Sequence, residues 1–249
     1  MQLISTGIKG LDELLGGGFP KGKSILVVGS PGSGKTILLM QFLRVGAIAD
    51  EPGLYVAMDE PPEQVKLNLS SFGWSFEDLE RNGKLLFLDA TPLKRMVGSK
   101  VADRPFFEEN IGSEFRMTVK SLIRTIMKIV SEENIQRIAV DPITSLMLRY
   151  GNVYRRRRAM LMFFDALSRS GCTSLISTEL RTNILKRRFQ LEEFLSQGVI
   201  LLHSLVHAGN VVRAIQIEKM RGIPHDTQFR PYQITVNGIE VFPKDRVFS

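Results

Sequence analysis

The 249-residue chain reads as an α/β fold: a mostly parallel central sheet with helices on both faces and an antiparallel extension at the C-terminal end. Three observations carry this reading. Apolar runs of strand length recur without polar alternation, as in strands covered on both faces. Helical stretches separate the early runs, and such alternation makes a parallel sheet the economical architecture. From Gly198 onward, strands instead follow one another across short turns.

In chain order, the strand-like runs are Ser24–Gly29, Gly53–Met58, Lys84–Leu88, Arg137–Val140, Thr173–Ser177, Gly198–His203 and Val211–Glu218. Helical patterns cover Lys35–Ala49, Glu63–Phe72, Phe115–Glu133 and Tyr154–Ser170. Asn237-Gly238, between Tyr232–Val236 and Ile239–Phe242, is a hairpin signal. Thr91–Gly112, with Pro92, Gly98, Pro105 and Gly112 among scattered charges, reads as a long surface loop. No linker, low-complexity tract or internal repeat divides the chain, so residues 1–249 are read as one domain.

Composition sets outer bounds. A chain of this length can bury roughly 70% of its unfolded surface and needs no external staple. Cys172 is the only cysteine, which excludes an intramolecular disulfide and a cysteine-based zinc site. The N-terminal residues lack the basic start and apolar run of a signal peptide, and no apolar stretch has the length of a membrane span. A cytoplasmic protein with no membrane association is the expectation. The excess of 33 Lys+Arg over 26 Asp+Glu, net +7, suits a polyphosphate, a nucleic acid or simple solubility, and chooses among none of them.

The most specific motif is Gly29-Ser30-Pro31-Gly32-Ser33-Gly34-Lys35-Thr36, which fits G-x-x-x-x-G-K-[ST]. Chance would place this pattern in such a chain roughly one time in a hundred. Context lowers that further, because Ile25–Val28 reads as a strand entering the loop and Ile37–Met40 as a helix leaving it. Glycines let backbone N–H groups converge on phosphate oxygens, Lys35 supplies a cation to the β- and γ-phosphates, and Thr36 offers a hydroxyl to Mg²⁺. The motif implies ATP, with Ser30, Pro31, Gly32, Ser33, Gly34, Lys35, Thr36 and Ile37 as its cradle. Asp141, ending the run Ile138–Val140, is the candidate second metal-side group at the sheet edge where such folds bind ligands. Asp59 and Glu60 end another strand at that edge. Glu60 is the candidate base for an attacking water, and Asp59 its support.

Taken in order, GSPGSGKT, YVAMDEPPEQV, SFGW (Ser71–Trp74), IAVDPITSL, ISTEL, LEEFLSQGVILL and EKMRGIPH make the chain resemble the RecA-type ATPases of the KaiC group. The similarity runs from Gly7–Asp12 to Gly238–Pro243 and matches one domain of that group. It implies a RecA-like phosphate-loop fold and slow Mg²⁺-dependent hydrolysis of ATP to ADP. Glu60 falls on the group's catalytic glutamate, Asp59 on the acid before it, and Asp141 on the metal aspartate. Thr178 and Glu179 fall on a strand end that senses the γ-phosphate, and Ser71 on a nucleotide-contacting position. In this group nucleotides lie between subunits of a six-membered ring. The resemblance therefore implies a homohexamer in which Lys219, Met220, Arg221 and His225 reach a neighbour's nucleotide, Lys219 and Arg221 as trans cations. Two positions depart from the group's pattern: Leu180 precedes Arg181 where an arginine commonly follows Thr-Glu, and Ile223 replaces a common threonine.

Two other readings belong to different classes. Lys186-Arg187-Arg188 lies where recombinases carry DNA-contacting loops, so a DNA-binding ATPase is an alternative. A scaffold that binds an unknown protein partner according to nucleotide state, with little turnover, is another. Arg155–Arg158 open a helix, and four consecutive residues turn through about 300°, which spreads the charges around it. His203 and His207 lack acidic or cysteine companions for a metal. Phe72, Trp74, Phe76 and the Met160–Phe164 face read as packing, and Cys172 as an inert buried thiol.

Overall fold

The computed structural model describes residues 1–91, 118–148, 150, 152–180, 190–207 and 210–247. Of the expected loop, everything after Thr91 lies outside the described residues, as do Arg181 and Lys186-Arg187-Arg188.

Buried, non-alternating strands build the centre. β3 (Ser24–Gly29) lies between β7 (Thr173–Glu179) and β8 (Gly198–His207), and the sheet continues from β7 through β6 (Arg137–Asp141) and β4 (Gly53–Ala57) to β5 (Leu85–Asp89). All of these pairings are parallel. Beyond β8 the sheet turns antiparallel through β9 (Asn210–Met220), β10 (Arg230–Thr235) and β11 (Gly238–Val241). Asn237-Gly238 makes the β10–β11 turn, with Thr235 paired to Gly238. The expected architecture is therefore present at both ends of the chain. β9 runs two residues further than its apolar pattern suggests, because Val199 and Gly198 of β8 continue the ladder opposite Lys219 and Met220.

Each face of the sheet has its own apolar layer. Ile25, Val27, Tyr55 and Ala57 point toward α2 (Lys35–Ile48), while Leu26, Val28, Leu54 and Val56 point toward α5 (Val119–Glu132) and α7 (Val153–Arg169). This two-sided burial explains why the strands lack polar alternation. α2 is buried over most of its circumference, Leu38–Leu43 included, so its sequence is apolar nearly all round. α5 and α7 carry single apolar stripes. Thr118 and Ser121 form a capping box at the start of α5, and the Asn152 side chain accepts from the N–H groups of Tyr154 and Arg155.

Small elements surround this frame. β1 (Leu3–Ile4) pairs with β2 (Phe19–Pro20) around α1 (Leu11–Leu14). α3 (Pro62–Ser70) and α4 (Glu77–Arg81) flank the Ser71–Trp74 turn, whose Trp74 sits among Phe72 and Phe76 in an aromatic chain extending to Phe87. α6 (Thr144–Met147) follows β6, and α8 (Leu191–Leu195) precedes β8. Arg137 ties the parts together. Its guanidinium, 3% exposed, pairs with Glu51, donates to the carbonyls of Ser5 (3.0 Å) and Phe42 (2.8 Å), and lies over the Phe42 ring.

Met160, Phe163 and Phe164 are core, and the buried Cys172 thiol donates to the Ile135 carbonyl at 3.0 Å. Burial pushes that thiol up from its ordinary value, which keeps it protonated and unreactive. His203 is interior to β8 rather than at its end, buried beside Phe229 and 3.4 Å from Gln216 Oε1. Among the described residues no cluster of His, Cys, Asp and Glu has a metal-holding arrangement, and no helix is long and apolar enough to cross a membrane.

Candidate nucleotide-binding site

The carboxyl ends of the parallel strands collect the polar groups. Gly29 pairs with Glu179 on β7, and Ala57 pairs with Asp141 on β6, so the phosphate loop, Glu179, Asp141 and the Asp59-Glu60 pair emerge at one edge. Gly32 (φ +75°) and Gly34 (φ +88°) take left-handed conformations that a side chain would disfavour. Gly34 is also the N-cap of α2 and offers no side chain to the first N–H groups of that helix. Those donors, from Lys35, Thr36 and Ile37 onward, face the loop with the positive end of the helix dipole behind them.

The side chains are already organised. Lys35 Nζ donates to the Gly29 carbonyl at 2.9 Å and the Ser30 carbonyl at 3.0 Å. Burial depresses the amine below its ordinary value, against the opposing pull of Asp141 and Glu179. Asp141, 8% exposed, accepts three hydroxyl hydrogen bonds: Thr36 Oγ1 at 2.6 Å and Tyr55 Oη at 2.8 Å on Oδ2, and Ser177 Oγ on Oδ1. The Tyr55 phenol is pushed well up by burial and by the Asp141 charge, so it remains a donor. Ser145 Oγ donates to Asp59 Oδ1. Glu60 is exposed on the cleft wall, with Asn68 Nδ2 at 3.4 Å from its Oε2.

These residues enclose a cleft of about 290 Å³. Lys35, Thr36 and Pro31 form one wall, Asp59, Glu60 and Val65 another, and Tyr55, Asp141 and Glu179 line the remainder. The hard oxygens of Thr36 and Asp141 suit Mg²⁺, which takes one or two protein oxygens and completes its shell with phosphate and water.

The hairpin β10–β11 supports the loop from behind. Tyr232 Oη donates to the Ser33 carbonyl at 2.7 Å, and a Cβ on Gly34 would come within 3.1 Å of Ile234 and Ile239. Gln41 of α2 bonds both backbone groups of Ile239. Tyr232 also lines a groove of about 580 Å³ along β9 and β10, with Arg213 opposite.

A family model described as the KaiC ATPase matches residues 4–246. The chain belongs to the KaiC ATPase family. It is 34% identical over 245 residues to the circadian clock oscillator protein KaiC of Picosynechococcus, covering 98% of this chain but 45% of that relative, so it spans less than half of the clock protein's length. A UPF0273 protein of Thermotoga maritima is 32% identical, with 98% of each chain covered. The crystal structure of a KaiC-like protein from Pyrococcus horikoshii superimposes with a TM-score of 0.81 at 31% identity, covering 97% of this chain and 99% of that one. The RecA-like α/β fold expected of the KaiC group is thus present.

Not every residue implied by the KaiC resemblance meets at the cleft. Thr178 is fully buried beneath it, its hydroxyl 3.3 Å from Thr144 Oγ1 and 3.4 Å from Glu192 Oε1, while its neighbour Glu179 faces the opening. Ser71 caps the end of α3, its hydroxyl donating to the Asn68 carbonyl, and does not line the cleft. Lys219 lies opposite Val199, which pairs with Leu26, three residues before Gly29. Three residues of strand is about 10 Å, and β9 stands two strands from β3, about another 10 Å sideways. Lys219 therefore does not join its own chain's loop. Its amine instead donates to the Ser196 carbonyl at 2.8 Å and to the Glu193 carbonyl, at the C-terminal end of α8. Burial and then Arg221 depress that amine, with Glu193 opposing. Met220 is buried over Gly198, Arg221 is exposed, and His225 is half-buried with Nδ1 3.2 Å from the Ile223 carbonyl.

Sequence reasoning missed Tyr55, Ser177 and the hairpin's contact with the loop. Tyr55 carried a usable signal. At period two it shares a face with Ala57 and Asp59, the face that leads to the acidic strand end.

Proposed function

We propose that the chain binds ATP with Mg²⁺ on the loop Gly29–Thr36 and hydrolyses it slowly at sites completed by a neighbouring copy in a homohexameric ring. The observation that carries this reading is the single cleft bringing together Lys35, Thr36, Asp141 and Glu60. Lys35 would leave the loop carbonyls for the β- and γ-phosphates, while Thr36 and Asp141 would hold the metal, directly and through its waters. The bound metal supplies charge neutralisation on the phosphates. Glu60, exposed on the opposite wall, accepts the proton of the attacking water, and Asp59, held by Ser145, supports it.

Lys219 and Arg221, remote from their own loop, are assigned to the neighbour's nucleotide, where they stabilise charge in the transition state. Met220 and His225 are assigned to contact with that same nucleotide. In a ring closed by a head-to-tail interface, the two ends of each sheet would serve different sites.

Three measurements test this reading. Lys35→Ala is expected to abolish binding of a fluorescent ATP analogue. Glu60→Gln is expected to keep that affinity within about threefold and lower turnover at least about 100-fold. Wild-type turnover by Glu60→Gln overturns the base assignment. Mass in solution is expected to correspond to six chains with ATP, and a monomer with and without ATP removes the trans roles.

A further inference from the structure

Asp141 is held more firmly than a metal-side carboxylate requires. Thr36 donates to it, but in the proposed reaction that hydroxyl turns to Mg²⁺. Two donors then remain, one on each oxygen: Tyr55 Oη on Oδ2 and Ser177 Oγ on Oδ1. Their placement follows from the strands. Ser177 is the lateral neighbour of Asp141, one step beyond the pairing of Val140 with Ile176. Tyr55 reaches it diagonally. Tyr55 pairs with Ala139, and Ala57 pairs with Asp141, so the phenol must run along the sheet for one two-residue repeat, about 6.6 Å. The two alanines leave that path open, and a tyrosine side chain has the length to span it. Phe87, with ring centroid 5.7 Å from that of Tyr55, covers the phenol on the β5 side. Tyr55 itself is 1% exposed.

We propose that Tyr55 and Ser177 form a clamp that fixes the plane of the Asp141 carboxylate for the metal, making both of them positioning residues for Mg²⁺-dependent nucleotide binding. A carboxylate with a donor on each oxygen cannot rotate without breaking one hydrogen bond, so its free lone pairs keep their aim toward the Thr36 side of the cleft. Removing either donor leaves the carboxylate free to tilt, which weakens metal binding. The inference rests on Asp141 serving the metal, as proposed above.

The test titrates Mg²⁺ against a fixed concentration of methylanthraniloyl-ADP, with binding followed by fluorescence and turnover not required. Tyr55→Phe keeps the ring and removes the hydroxyl, and Ser177→Ala removes the other donor. Each is expected to raise the Mg²⁺ concentration at half-saturation about 3- to 10-fold, while affinity in EDTA stays at the wild-type value. A role in packing alone would lower the melting temperature and leave the Mg²⁺ titration in place, which would overturn the clamp. If Tyr55→Phe does not fold, Ser177→Ala decides alone. Asp141→Asn separates the two levels of the argument. A normal Mg²⁺ titration in Asp141→Asn removes the metal role itself, whereas loss of Mg²⁺ dependence there with normal Tyr55→Phe and Ser177→Ala titrations removes only the clamp.

Discussion

Lys35 illustrates how a residue proposed to bind nucleotide opposes stability. Its amine is buried against two backbone carbonyls, and burial holds its affinity for protons below that of the unfolded chain. At neutral pH the folded state therefore carries a desolvated charge that the unfolded state keeps in water. Lys35→Met removes that cost and is expected to raise the melting temperature of nucleotide-free protein by about 2 °C while abolishing nucleotide binding. The sign of the pH dependence is fixed. As pH rises through the depressed folded value toward the ordinary lysine value of about 10.4, the wild type sheds the proton and regains stability, so its difference from Lys35→Met shrinks. Scanning calorimetry at pH 7 and pH 10 measures this, and a difference that widens at pH 10 would contradict the assignment. Lys35 and Thr36 were legible because a phosphate loop is a local pattern, and Asp141 because it ends an unbroken apolar run; the structure brings the three to one cleft. Tyr55 and Ser177 escaped notice because their role exists only across strand pairings, which a linear reading does not contain.

At the scale of elements, one polar side chain ties the hairpin β10–β11 to α2. Gln41, 7% exposed, accepts from the Ile239 N–H at 2.7 Å and donates to the Ile239 carbonyl at 3.2 Å. Gln41→Ala strands two buried backbone groups and is expected to cost about 2–3 kcal/mol in urea unfolding. Because the hairpin braces Ser33 and Gly34, nucleotide affinity should fall with it. A variant within 0.5 kcal/mol of wild type, by that order-of-magnitude scale, would show that the hairpin docks without the Gln41 hydrogen bonds. The hairpin itself was readable from Asn237-Gly238, and the parallel strands from their unbroken apolar runs. Its seat on the phosphate loop was not, because a turn signal fixes a connection and says nothing of what the hairpin packs against. The short elements β1, β2, α4 and α8 were also hidden, being too brief to show a period. α8 in particular contains Glu192 and Glu193, both buried, where acidic composition suggests a solvated turn.

For the molecule as a whole, the apolar pattern specified the layers, while the order of strands came only from the structure, since β7 and β8 flank β3 despite lying far from it in sequence. That order also places the loop and Lys219 well apart on one stiff sheet. The separation has a genetic consequence. Under the proposed ring, a Lys35→Ala chain is defective at its own site but intact as a donor to its neighbour, and Lys219→Ala is the reverse. Each variant alone is expected to be nearly inactive. When they are co-assembled in equal amounts, roughly one site in four draws its loop from a Lys219→Ala chain and its cation from a Lys35→Ala chain, and so is intact. Two dead proteins should therefore complement, with ATPase activity appearing on mixing after subunit exchange. If activity never exceeds the sum of the separate preparations, each chain works for itself.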